Sequence, residues 1–255
     1  MPAARQRPGP ARLVLVRHAE SLGNVADRDA RSRGDARLDL HVRDADVALS
    51  PTGEQQAAAV GRYVATLPAD EQPTVVLSSP YERAAATAAH ALSAMDGRLR
   101  VRHDERLRER ELGLFDGLTG AGIREQFPQE ADRRRYLGKF YYRPPSGESW
   151  CDVALRVRSL LRDVEDRYDG ERVWAFSHQA VIMSFRLVLE GLGEREILDL
   201  DARSPMANCS MTSYLRGPEG ALELEAYADP TAVEESPTPT TREAANAGQE
   251  ADHAL

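Results

Sequence analysis

Short, unbroken apolar runs at 13–16, 75–77 and 173–176 each stop abruptly at a polar turn. Valine- and leucine-rich runs of that length predict strands buried on both faces. Leu99 to Arg102 predicts a further, weaker strand. Between the runs the period changes. Trp150, Val153, Val157, Leu160, Leu161, Val164 and Tyr168 recur at helical spacing, so one face of a helix is apolar there, with Ser149 as its cap. Helices are also predicted over about 51–67, about 81–95 and about 179–192; the first is opened by Ser50 and Pro51 and closed by Pro68. Ser210–Leu215 and Leu222–Tyr227 flank Gly217-Pro218-Glu219-Gly220, the pattern of an antiparallel hairpin. Residues 25–48 and 103–147 show no clean period and read as a long loop, with room for one helical turn, and an irregular stretch.

Strands alternating with helices imply an α/β fold: a three-layer sandwich with a mainly parallel central sheet and helices on both faces. Ligands in such folds bind at the carboxyl ends of the strands. Arg17 and His18 follow the first strand, Arg83 opens the helix after the second, and His178 follows the run at 173–176. Residues far apart in sequence are thereby aimed at one edge of the sheet.

Composition narrows the picture. The 255 residues, 42% hydrophobic, can build one large domain, and the net charge of −8 excludes a wholly basic nucleic-acid-binding surface. Residues 1–11 read as a flexible arm and 12–228 as the folded domain, with a lid or insertion over about 118–146. Residues 229–255, with six acids against one arginine, read as a disordered acidic tail. Only Cys151 and Cys209 occur, and no apolar run has signal-peptide or membrane-spanning length, which predicts a cytoplasmic protein without membrane partners. No His-x-His or His-x-x-x-His pair suggests a metal site, and no cofactor is expected.

Two arginines and two histidines converging suit a phosphate: guanidinium matches its oxygens and a neutral imidazole can attack phosphorus. The leaving oxygen then needs a proton, for which Glu109 and Glu111 are both available. A phosphate dianion alongside would raise the pKa of either acid.

Arg17-His18-Ala19-Glu20-Ser21 with Asn24 resembles the Arg-His-Gly signature of the histidine phosphatase superfamily, the phosphoglycerate-mutase-like fold. Leu49-Ser50-Pro51-Thr52-Gly53, Ser78-Ser79-Pro80-Tyr81-Glu82-Arg83 with Thr87, Leu107-Arg108-Glu109 with Gly113, Gly147-Glu148-Ser149 and Phe176-Ser177-His178 follow in that family's order. The resemblance implies that His18 carries the phosphoryl group and that Arg17, Arg83 and His178 hold its oxygens. It implies further hydrogen bonds from Ser21 and Asn24, and makes Glu109, rather than Glu111, the acid. Ala19 departs from the usual glycine. Gln179, with Lys139, resembles the fructose-2,6-bisphosphatase branch, although the tyrosine and second-phosphate arginine of that branch fall at Gly120 and Met183.

Gln179 and a short insertion after Glu109 favour hydrolysis over mutase transfer. The expectation is a metal-independent phosphomonoesterase acting on a small phosphorylated metabolite, with Arg134 and Lys139 in a lid that grips the non-reacting end. A mutase and a non-catalytic phospho-ligand binder of the same fold are the alternatives. No nucleic acid is expected as a partner, and an exposed sheet edge leaves pairing into a homodimer open.

Overall fold

The computed structural model describes residues 8–93, 95 and 99–242. In chain order the elements are β1 (Arg12–Arg17), α1 (Leu22–Arg33), α2 (Pro51–Thr66), β2 (Val75–Ser78), α3 (Glu82–Ser93) and β3 (Val101–His103). They continue as α4 (Gly120–Gln126), α5 (Pro128–Leu137), α6 (Trp150–Arg167), β4 (Arg172–Ser177), α7 (Gln179–Leu189) and α8 (Glu194–Arg203). β5 (Met211–Arg216), β6 (Leu222–Asp229) and α9 (Thr231–Glu234) complete the described chain.

The six strands form one mixed sheet in the order β3-β2-β4-β1-β5-β6. β1, β2, β3 and β4 are mutually parallel, and β5 runs antiparallel to both its neighbours. Alternation along each strand divides the core. Leu13, Leu15, Val75, Leu77, Val173 and Ala175 join one cluster with the apolar faces of α6 and α7. Val14, Val16, Val76, Trp174 and Phe176 join the other, with α2, α3 and α9. Successive residues of one strand therefore seal opposite layers, which is why the runs are continuously apolar.

Ser50 caps α2 by accepting the Gly53 amide, and Ser149 caps α6 in a capping box with Asp152, as the sequence predicts. The supposed loop at 25–48 is corrected: its first part is helix α1. Only Ala30 of that helix is buried, so no apolar stripe marks it; its ends are specified instead by the Ser21–Asn24 capping box and Gly34 at φ +74°. The irregular stretch likewise contains α4, capped by Thr119, and α5, opened by Pro128. α8 follows the helix that the sequence predicts to end near Leu192.

The proposed tail boundary at 229 is also corrected. The chain from 230 to 242 is described by the structure, with Ala232 and Val233 buried in the core against α2. Of the supposed arm, residues 8–11 are tied down: Gly9 donates to Asp169 Oδ1 at 3.0 Å and Ala11 to the Glu171 carbonyl at 2.8 Å. The remaining tail and arm, 243–255 and 1–7, lie outside the described residues.

Gly53 lets α2 press on the turn after β1. A Cβ there would sit 1.9 Å from the Glu20 carbonyl oxygen, a backbone atom. Gly53→Ala is expected to cost about 2–3 kcal/mol by forcing the two segments apart. A chemical denaturation midpoint equal to wild type would contradict this close approach.

Candidate active site

The sheet order brings the sequence-distant residues together. β4 lies between β1 and β2, and Arg17 is in register with Ser177 while Ser78 is in register with Phe176. The chain leaves all three strands at one level: His18 N–H donates to the Ser177 carbonyl at 2.9 Å, and Ser79 N–H to the Phe176 carbonyl at 2.9 Å. The His18 and His178 rings consequently lie 5.1 Å apart between centroids.

His18 is buried, and its Nδ1 lies 2.7 Å from the Ala19 carbonyl oxygen. A carbonyl can only accept, so Nδ1 carries the hydrogen and Nε2 keeps its lone pair. The backbone that presents this ring is held at three successive points. Asn208 Nδ2 donates to the His18 carbonyl (3.0 Å), Ala19 N–H to Thr87 Oγ1 (3.0 Å) and Glu20 N–H to Gln56 Oε1 (2.9 Å). Ala19 is absent from the left-handed residues of the described chain, which besides glycines are Ser146, Cys209 and Ala228. Its methyl group thus meets no backbone penalty.

His178 is also fully buried. Its Nε2 pairs with Ser79 Oγ at 2.9 Å, Ser79 Oγ itself accepting from the Tyr81 amide, and its Nδ1 is 3.8 Å from Glu109 Oε2. This pairing turns the other ring nitrogen, Nδ1, toward Glu109. The Tyr81 ring meets His178 edge-on at 5.5 Å. Arg83 is buried and held by Asp44, donating to its carbonyl oxygen at 2.6 Å and pairing with its carboxylate at 2.9 Å. Arg17, 1% exposed, donates to the Met206 carbonyl.

Burial holds both imidazoles well below their ordinary pKa, and the neighbouring Arg83 and Arg17 add to the effect. Each ring is therefore neutral near pH 7, whereas in the unfolded chain it would titrate near 6.5. Below that value the unfolded chain binds more protons than the folded one. Stability is thus complete above about pH 6.5 and falls as the pH drops below it, by up to about 1.4 kcal/mol per pH unit for each ring. Denaturation at pH 7.0 and 5.5 is expected to show this loss, and replacing both histidines with glutamine should flatten it. An undiminished slope in the double variant would assign the effect to other groups.

The loop carrying Glu109 is braced from α6. Arg156 donates to the Glu109 carbonyl at 3.2 Å and to the Arg106 carbonyl at 2.5 Å, and pairs with Glu148 at 3.1 Å. Glu148 also accepts the Glu111 amide at 3.1 Å. Gly113 sits at φ +56°, and a Cβ there would lie 2.2 Å from the Pro145 carbonyl oxygen, so this position requires glycine. Glu109 Oε1 accepts its neighbour's amide at 2.7 Å, and Glu111 Oε1 accepts that of Gly113 at 3.2 Å.

A cleft of about 420 Å³ opens over these residues, lined by His18, Ser21, Asn24, Arg83, Glu109, Glu111, Lys139 and Gln179 among others. Arg17 and His178 are buried behind its lining. Ser21 and Asn24 serve each other as helix cap. Gln179 Nε2 and Lys139 Nζ both donate to Asp201, at 2.9 and 3.0 Å, from one end of the cleft. Arg134 is placed differently from the other expected substrate contacts: it lines a neighbouring depression that shares Lys139 with the cleft. Among the described residues no cluster of three His, Cys, Asp or Glu side chains could hold a metal ion. No helix among them is long and apolar enough to cross a membrane.

Five contributors escaped the sequence reading. Arg110 lines the cleft beside Glu109, and its guanidinium makes neither an ion pair nor a hydrogen bond among the described residues. Burial, opposed by Glu109 and reinforced by Arg134, draws it below its usual pKa. Glu148 and Arg156 brace the acid's loop, and Gln56 and Asn208 brace the nucleophile's. Alternation of Arg and Glu at 108–111 hid Arg110, and the amides act through backbone contacts that no spacing announces.

The family profile described as histidine phosphatase superfamily (branch 1) matches residues 13–230. A probable fructose-2,6-bisphosphatase of Schizosaccharomyces pombe is 33% identical over 170 residues, 67% of this chain and 36% of that protein. A bifunctional protein of Mycobacterium tuberculosis is 34% identical over 197 residues, 76% of this chain and 49% of that protein. The chain thus matches relatives of which it spans between about a third and a half. Among solved structures, mycobacterial glucosyl-3-phosphoglycerate phosphatase complexed with VO3 superposes with a TM-score of 0.63 at 27% identity, covering 86% of this chain and 99% of that one. YhfR of Bacillus stearothermophilus reaches 0.68 at 26% identity, covering 86% and 96%.

Proposed function

Because this chain belongs to the histidine phosphatase superfamily, branch 1, we propose that it is a metal-independent phosphomonoester hydrolase working through a phosphohistidine at His18. The observation that carries the reading is the fixed tautomer of a neutral, buried His18, whose Nε2 has no hydrogen-bond partner among the described residues. Its lone pair attacks phosphorus in line, and the bond from phosphorus to the ester oxygen breaks. Glu109, protonated at the start, gives its proton to that oxygen. Arg17, Arg83 and His178 take up the charge on the equatorial oxygens, so no step requires a metal. Water then gives a proton to the Glu109 carboxylate and attacks phosphorus. The phosphorus–nitrogen bond breaks, its electron pair returns to Nε2, and alcohol and phosphate are the products.

Water access favours hydrolysis over transfer. The Glu109 side chain is 23% exposed at the cleft, so water can reach a phosphoryl group on His18 without a conformational change. The cleft also exceeds the needs of one phosphate. The Arg110 guanidinium feels the charge of Glu109 but makes no direct ion pair among the described residues, which suits a small metabolite with a second negative group near its phosphate.

A panel of phosphorylated metabolites assayed with EDTA tests both statements. Hydrolysis is expected to persist in the chelator. Arg110→Ala is expected to raise KM about tenfold for esters bearing a second anionic group and to leave simple alkyl phosphates unchanged. Loss of all turnover in EDTA would overturn the metal-independent route.

A further inference from the structure

The family match ends at residue 230, yet the chain beyond it reaches the nucleophile's loop through two buried amides. Gln56 Oε1 accepts the Glu20 amide, so its NH2 faces the other way and donates to the Pro239 carbonyl (2.9 Å) and Thr241 Oγ1 (2.8 Å). Asn208 is its counterpart. The Thr241 hydroxyl donates to Asn208 Oδ1 at 3.0 Å, which turns the Asn208 NH2 onto the His18 carbonyl at 3.0 Å. The Asn208 amide N–H closes the link by donating to the Thr241 carbonyl at 2.9 Å.

One hydroxyl thus receives from one amide and donates to the other. Gln56 is 0% and Asn208 1% exposed, so water does not replace that partner. Without it, Asn208 loses the contact that orients its NH2 toward His18, and Gln56 loses one of its two acceptors.

We propose that Thr241 is a positioning residue for the nucleophile, acting through Asn208 and Gln56 on the backbone of residues 18–20, and that the segment 236–242 is a working part of the site. This rests on the reading of His18 as the group that meets the phosphate. The segment has its own anchor in Ala232 and Val233, buried against α2, so a change at Thr241 leaves it attached. The Ala19 carbonyl that fixes the His18 tautomer lies within the stretch so held, between the His18 carbonyl and the Glu20 amide. A small shift of that stretch displaces Nε2 from the line of attack while leaving the phosphate-binding arginines in place.

Thr241→Val keeps the shape and removes the hydroxyl, while Thr241→Ser keeps the hydroxyl. Both are compared with wild type for kcat and KM on p-nitrophenyl phosphate, and for orthovanadate binding by calorimetry, which reads in-line placement of Nε2 without turnover. Thr241→Val is expected to lower kcat and vanadate affinity about tenfold with KM within about twofold, and Thr241→Ser to restore both. Values within about twofold of wild type in the valine variant, or a loss that serine does not restore, would overturn the proposal. If wild type hydrolyses no ester yet vanadate affinity still falls with valine and returns with serine, the hydrolase reading fails and the coupling of Thr241 to His18 stands.

Discussion

His18→Ala is expected to lower kcat on p-nitrophenyl phosphate by about 10³-fold or more, the largest effect of any single change in the cleft. On the proposed mechanism the substitution removes the atom that forms the bond to phosphorus. His178 is not placed to take over: its Nε2 is engaged with Ser79 Oγ and its Nδ1 is turned toward Glu109. Phosphate affinity should survive in part, since Arg17 and Arg83 are held by Met206 and Asp44 rather than by the imidazole. Circular dichroism of the variant separates loss of chemistry from loss of fold. Turnover within about tenfold of wild type would remove His18 from the mechanism.

The second large effect is expected at Glu109, and it depends on the substrate. For an alkyl phosphate the departing alkoxide needs a proton, so Glu109→Gln should lower kcat by about 10²–10⁴-fold. For p-nitrophenyl phosphate the leaving phenolate is stable as the anion, and formation of the phosphoenzyme should continue. Its hydrolysis then lacks a base. A rapid burst of about one equivalent of nitrophenol followed by a slow phase is the expected trace. Glu111→Gln serves as the control: its carboxylate binds the Gly113 amide and, among the described residues, makes no hydrogen bond or ion pair with either histidine ring, so activity should stay within about threefold. A larger loss at Glu111 than at Glu109 would exchange their roles.

Glu109 and Glu111 also illustrate what spacing can decide. Both belong to one polar loop, and residue chemistry alone leaves them equivalent; the family resemblance favours Glu109. In the structure Glu109 is the one beside His178, because Arg156 of α6 pins its carbonyl and Glu148 pins the amide of Glu111.

The local sequence determined the strands, the longer helices, the caps at Ser50 and Ser149, and the meeting of Arg17, His18, Arg83 and His178 at one sheet edge. Those features follow from hydrophobic period, turn chemistry and the rule that parallel strands aim their ends alike, all of which act over a few residues. Only tertiary packing decided the rest. Helix α1 carries no apolar stripe, Arg110 is charged within a charged loop, and the segment past Pro230 has a tail's composition. Each acquires its place from partners elsewhere in the chain. Thr241 contacts Gln56 and Asn208, 185 and 33 residues away, and the hydrogen bonds that give it a role exist only once the sheet and its flanking helices have assembled.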